Sequence, residues 1–252
     1  MSGAQLAELV PVLSPVQQLE TLLRRAVSDQ PLAQLGTGKA LATLVDLEPA
    51  DLRRNWSRAF VELTNLIDDA RRHAATAIPS FEGSPHARTF DAIEAVFSQV
   101  SLDGGPWTNY VPPLAHLANI ALPFVVHAVD GDGQPPVIQA DLLTEVRRDL
   151  DAVLEKIIDS SLPADFKEEF ARTVALLRDA LIRFHVYGAR GVARAAALVV
   201  GSIATNESAV KSDAGVVRET AETISKLQDI FLKAFKIGMI GAAVWKVLGP
   251  GS

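Results

Sequence analysis

Apolar residues recur at three- and four-residue steps through most of the chain, the spacing of one face of an α-helix, and no stretch alternates as a half-buried strand would. Ser14-Pro15-Val16-Gln17 reads as a helix start, with serine as the cap, proline at the first position and glutamine at the third. Val16, Leu19, Leu23 and Ala26 form the apolar face of that helix, and a short segment Ala4–Val10, ended by Pro11, precedes it. After a break at Gln30-Pro31, Leu41, Leu44 and Val45 predict a short helix. Leu52, Trp56, Phe60, Leu63, Ile67 and Ala70 then line one side of a longer helix from about Pro49 to Ala77. Pro79 and Gly83 open another break, Ser84-Pro85 restarts a helix, and Phe90, Ile93, Phe97 and Val100 give it a buried stripe.

Ser101 to Pro113 is the least regular part of the chain, with two glycines, three prolines, Trp107 and Tyr110. It reads as an ordered loop or an interdomain connection whose rings cap a core or contact a partner. Leu114 to Val129 is apolar and contains Pro123, so a buried helix kinked or divided there is predicted. Asp130 to Pro136 is a turn. Leu143, Val146, Leu150, Val153 and Ile157 have the spacing of a helix-packing seam. Phe166, Phe170, Val174, Leu177, Leu181 and Phe184 face inward from the next helix, begun by Pro163 and stopped near Gly188, and the two form an antiparallel hairpin. Gly191 to Thr205 is alanine-rich and ends at Asn206. The pattern as a whole is an all-α fold of eight to ten helices, divided into residues 1–100, a connection at 101–113, and residues 114–252, or else running as one continuous domain.

The last helix, from about Asp213 to Leu248, is the segment whose character departs from an ordinary soluble helix. Val217, Ala221, Ile224, Leu227, Phe231 and Ala234 keep one face as far as Lys236; from Ile237 to Val247 no polar stripe remains. Phe231, Phe235, Ile237, Met239, Ile240, Val244 and Trp245, with Lys233, Lys236 and Lys246, are therefore the candidate partner or membrane contacts. Only about half of the ~20 apolar residues that a spanning helix needs lie uninterrupted between Lys236 and Lys246, which favours core or oligomer packing over a membrane anchor. Ala234, Gly238 and Ala242, four apart, suit close approach of another helix.

Composition sets the outer limits. The chain has 252 residues, 48% of them hydrophobic, which is ample for a substantial core. Four lysines against Asp229 give residues 226–252 a charge of +3 and leave −9 for the remainder of the −6 total. That asymmetry suits docking on the protein's own acidic body or on an anionic membrane. The acidic body and the interspersed bases disfavour nucleic acid. Absence of cysteine excludes disulfides, thiolate metal sites and cysteine nucleophiles. The first residues show no basic region followed by an apolar run, so a cytoplasmic protein is expected, and the alanine and arginine richness has a bacterial character.

Candidate chemistry is sparse. Gly36-Thr37-Gly38-Lys39 resembles the end of a phosphate-binding loop, but Ala33 and Ala40 occupy two of its required positions and no strand precedes it. Asp130 and Asp132 lack the further acids of a calcium loop. His73, His86, His116, His127 and His185 form no metal-binding pair, with His185 expected at the edge of an apolar face. Asp68-Asp69 with Arg71, Arg72 and His73 reads as a helical charge cluster, and Arg190 and Arg194 as solvated. No nucleophile elbow is present, and a triad would have to assemble from distant residues. No catalytic motif, cofactor or metal is implied. The expectation is a non-enzymatic helical interaction or scaffold protein that packs or self-associates through its last helix. The alternative is a membrane-associating effector working through the same helix, and a second alternative is an enzyme with a site between helices.

Overall fold

The computed structural model describes residues 8–47, 52–101, 104–131 and 133–235. They fall into two compact units: Leu13–Gln134, and the chain up to Val12 together with the chain from Pro135 on. The all-α expectation holds, with one small sheet in addition.

The Leu13–Gln134 unit is built on α1, Pro15–Ser28. Its start is the capping box read from sequence: the Gln17 amide donates to Ser14 Oγ at 3.2 Å, and the Ser14 amide donates to Gln17 Oε1 at 3.0 Å. Single-turn α2, Gln30–Ala33, and α3, Thr37–Leu44, follow; then comes α4, Leu52–Ala77, which packs on both α1 and α3. Helix α5, Pro85–Ser98, is capped by Ser84 Oγ, which accepts from the Ala87 amide at 3.1 Å. A 3₁₀ turn, Trp107–Asn109, leads into α6, Val111–His116, a π turn, Leu117–Ala121, and α7, Leu122–Asp130. Pro123 has no N–H to offer Asn119 and its ring crowds that carbonyl, so the i→i+4 ladder is lost there and the chain widens into the π turn just before it.

Leu19, Leu23, Leu41, Leu63, Phe90, Ile93, Trp107, Leu114 and Leu122 are fully buried in this unit. The described residues of the 101–113 segment belong to this unit, and Trp107 is the one among them that is buried. Trp107 is 0% exposed and donates from Nε1 to the Ala26 carbonyl at 2.8 Å, and its amide donates to the Leu35 carbonyl at 3.0 Å. A Cβ at Gly104 would lie 2.8 Å from the Tyr110 hydroxyl and 3.1 Å from the Ser101 carbonyl, so a side chain there displaces the Tyr110 ring.

The other unit opens with two three-residue strands that the sequence pattern did not suggest. β1, Leu9–Pro11, pairs antiparallel with β2, Val137–Gln139, in the register Leu9↔Gln139, Val10↔Ile138, Pro11↔Val137. Strands this short carry no alternation signal, and their partners are far apart along the chain. Helices α8, Ala140–Asp159, and α9, Ala164–Ile182, form the expected hairpin; α10, Phe184–Thr205, single-turn α11, Glu207–Val210, and α12, Ala214–Phe235, complete the unit. Helix α8 packs on α9 and α12, α9 on α10, and α10 on α12, so four helices surround one core. The α8 seam of Leu143, Val146, Leu150, Val153 and Ile157 is buried throughout. Phe166 stacks on Phe170 with ring centroids 5.2 Å apart, and Phe184 meets Phe231 at 5.8 Å.

Between α9 and α10 the helical phase resets. Arg183 leaves helical geometry, and Gly188 adopts φ 57°, ψ −173°, a conformation essentially reserved for glycine. The reset turns Phe184 and Val186 inward and leaves His185 exposed, correcting its expected place against the core. Gly188→Ala is expected to destabilise this unit by about 1–3 kcal/mol. Gly201→Ala on the same helix, where a Cβ meets nothing within 4 Å, is expected to stabilise it by about 0.5–1 kcal/mol. Urea unfolding followed by circular dichroism reads both signs.

Candidate functional site

Helix α12 carries the described part of the candidate contact set. Phe231 is 4% exposed and belongs to the core with Ile224, Leu227 and Ile230, while Lys233 projects into solvent. Phe235 is the last residue of the described helix, and Lys236, Ile237, Met239, Ile240, Val244, Trp245 and Lys246 lie outside the described residues. Two charge clusters fix α12 to α8. Lys226 Nζ donates to Glu145 Oε1 at 2.8 Å and Asp149 Oδ2 at 2.7 Å, and Lys156 Nζ donates to both carboxylate oxygens of Glu219 at 2.5 and 2.7 Å. The bond to Asp149, then that to Glu145, raises the Lys226 pKa above the ordinary lysine value.

A small apolar cleft between α10 and α12 is lined by Val192, Ala193, Ala196, Ile224, Leu227, Gln228 and Phe231. Its volume of about 30 Å³ suits one water, far below the several hundred Å³ of a small-molecule site. Gln228 Nε2 is buried nearby without a hydrogen-bond partner.

Trp107 and Tyr110, the candidate loop contacts, are turned to the protein itself. Their rings stand 5.7 Å apart, Trp107 is wholly buried, and the half-buried Tyr110 donates its hydroxyl proton to the Gln99 carbonyl at 3.1 Å. They close the core of the Leu13–Gln134 unit.

One grouping resembles catalytic chemistry by composition alone. Ser14 Oγ donates to Asp130 Oδ2 at 2.6 Å, and His73 Nε2 lies 3.6 Å from Asp130 Oδ1. The order is Ser–Asp–His, with the carboxylate in the middle, whereas nucleophilic catalysis needs the imidazole between the hydroxyl and the acid. The Ser14 oxygen also serves as the α1 cap, so the grouping ties the start of α1 to the end of α7. Asp130 is thereby committed to protein groups, and among the described residues no three metal-ligating side chains converge.

The Gly36–Lys39 segment is a helix start. Gly36 caps α3, and the Thr37 amide and hydroxyl both donate to the Gly105 carbonyl, at 3.0 and 2.7 Å. Lys39 points to solvent. The charge cluster on α4 is partly a clamp between helices: Asp69 pairs with Arg72, but Arg71 reaches across to Asp91 at 2.8 Å and Glu94 at 3.0 Å on α5. Arg190 and Arg194 are exposed on α10.

The sequence reading missed the outer face of the α6–α7 stretch. Val111–Asp130 has a mean hydropathy of 1.3 and is only 28% buried, with Ile120 52% and Phe124 67% exposed. It is not the buried helix expected. Leu114, Leu117, Ala118, Leu122 and Val125 fill the inner face, while His116, Asn119 and His127 are exposed beside Ile120 and Phe124 on the outer one. By length and composition this stretch and Phe184–Thr205, which is 44% buried, are both apolar enough to cross a membrane.

The fold defines an all-α protein of helical units. No family model matches the sequence, and no curated protein and no solved structure is significantly similar to it.

The α12–α8 ion pairs make a pH-dependent prediction. Because the Lys226 pKa is raised on folding, its stabilisation is fully present below the unfolded lysine pKa of about 10.4 and is lost as pH rises through the folded value. Lys226 is partly solvated, so each pair is screened and contributes less than about 1 kcal/mol. Lys226→Met is expected to lower Tm slightly and constantly between pH 6 and 9, with the difference from wild type vanishing at more alkaline pH.

Proposed function

We propose that this chain is a helical interaction protein in which α12 is an integral strut of its unit and the sequence after Phe235 supplies the apolar residues used for self-association or partner packing. The observation behind this reading is the double anchoring of α12. Ile224, Leu227, Ile230 and Phe231 are sunk in the core, and Lys226 is held by two carboxylates of α8. A helix fixed this firmly at its root gives whatever follows it a defined point of departure. The sequence that follows, Ile237 to Val247, has no continuous polar stripe and therefore requires cover from protein or lipid.

Two truncations test the proposal by size-exclusion chromatography with light scattering and by circular dichroism. Stopping after Phe235 is expected to leave helicity and Tm nearly unchanged while lowering the oligomeric state. Stopping after Lys226 removes Leu227, Ile230 and Phe231 from the core and is expected to lose several kcal/mol, at about 2–5 kcal/mol for each large buried side chain removed. An oligomeric state unchanged by stopping after Phe235 contradicts the proposal. The membrane-effector alternative differs in its expectation: the full chain stays monomeric and loses vesicle binding when stopped after Phe235.

A further inference from the structure

We infer that the outer face of α6–α7, centred on Ile120 and Phe124, is a lipid-docking surface that lies on neutral bilayers, independently of the C-terminal segment. From Gly104 to Val129 there is no Asp, Glu, Lys or Arg, 26 residues in succession with His116 and His127 as the titratable side chains facing outward, in a chain where 21% of residues are Asp, Glu, Lys or Arg. A surface helix of a soluble unit ordinarily backs its apolar stripe with charged residues. Here the inner stripe of Leu114, Leu117, Leu122 and Val125 already fills the core, yet the large outward positions are Ile120 and Phe124, one helical turn apart, with Pro112, Pro113, His116, Asn119, His127 and Ala128 also exposed. Isolated exposed apolar residues need no explanation, but an uncharged face of this length does.

Area and charge decide the occupant. Ile120 and Phe124 together present on the order of 200 Å² of exposed apolar side chain, well short of the ~800 Å² per partner that a stable dimer buries. Shallow insertion of one or two large side chains among lipid headgroups needs no such area. The Leu13–Gln134 unit carries nine Lys and Arg against fourteen Asp and Glu, a charge of −5, so anionic headgroups repel it and a zwitterionic surface does not. Spanning is excluded by the other face: α6 and α7 both pack on α1, and crossing a bilayer would strip Leu114, Leu122 and Val125 from the core. The stretch therefore lies in the interface plane.

The test is flotation of the full chain with phosphatidylcholine vesicles and with vesicles containing one third phosphatidylglycerol. The full chain is expected to float with the neutral vesicles, insensitively to salt, and less with the anionic ones. Ile120→Gln with Phe124→Gln is expected to reduce the partition coefficient at least tenfold, while stopping the chain after Phe235 leaves it unchanged. Failure of the wild type to float, undiminished binding by the double variant, or loss of binding only on truncation would each overturn the inference. So would a wild-type dimer that the double variant splits without any vesicle binding, which would assign the face to a second copy. Since the chain has no cysteine, Phe124→Cys bearing an environment-sensitive dye provides a second readout in a folded background. Its emission is expected to shift to the blue on phosphatidylcholine vesicles while the same dye at Val61→Cys, an exposed position on α4, does not respond; equal responses, or none at 124, count against the surface.

Discussion

A helix buries one face, and what happens to the other decides how these units are built. In the four-helix unit α8 shows the rule, since Leu143, Val146, Leu150, Val153 and Ile157 turn inward, and Glu145, Asp149 and Lys156 turn towards charged partners, with Ile158 its one large exposed apolar side chain. The lysine and glutamate side chains of α12 answer them, and Ile224, Leu227 and Phe231 enter the same core. The ion pairs contribute modestly because they are partly solvated. Their larger effect is to fix which face of α12 meets α8. Burial of Phe231 against Phe184 then ties α12 to the start of α10, where the chain has changed direction at Arg183 and Gly188.

The Leu13–Gln134 unit follows the same rule until α6–α7. Its centre is α1, held at its start by the Ser14–Gln17 capping box and by the Ser14–Asp130 bond, and roofed at its end by Trp107, whose indole satisfies the Ala26 carbonyl. Around it α4 and α5 present charged outer faces, and α3 exposes Lys39. The Val111–Asp130 stretch does not, and that departure is the physical basis for assigning it a role at a lipid surface.

Much of this architecture was legible in the sequence because local chemistry specified it. Ser14-Pro15 and Ser84-Pro85 marked helix starts that the structure places at those residues, and the α8 seam was readable from its three-and-four spacing. What escaped depended on contacts remote in sequence or on a change of phase. Pairing of Leu9–Pro11 with Val137–Gln139 leaves no local trace. That the Trp107 ring caps a core was one of the two readings of its loop, but its partners, Ala26 and Leu35, lie far upstream and leave no local trace. The outward turn of His185 follows from the break at Arg183, which resets a face that otherwise reads continuously from α9. Phe124 lies in the largely apolar Leu114–Val129 segment, which reads as buried throughout, and the position of α1 decides which side of it is inner and which outer. Of the C-terminal contact set, the sequence reading and the structure meet at Phe231 and Lys233, one buried and one in solvent.

The claim that α12 is a structural strut is tested most directly by amide hydrogen exchange on the full chain under native conditions. Amides from Ile224 to Phe231 are expected to be protected to the same degree as those from Val146 to Ile157 of α8, since both segments open only when their common core opens. Rapid exchange across Ile224–Phe231 while α8 stays protected would contradict it and show α12 to be a detachable helix.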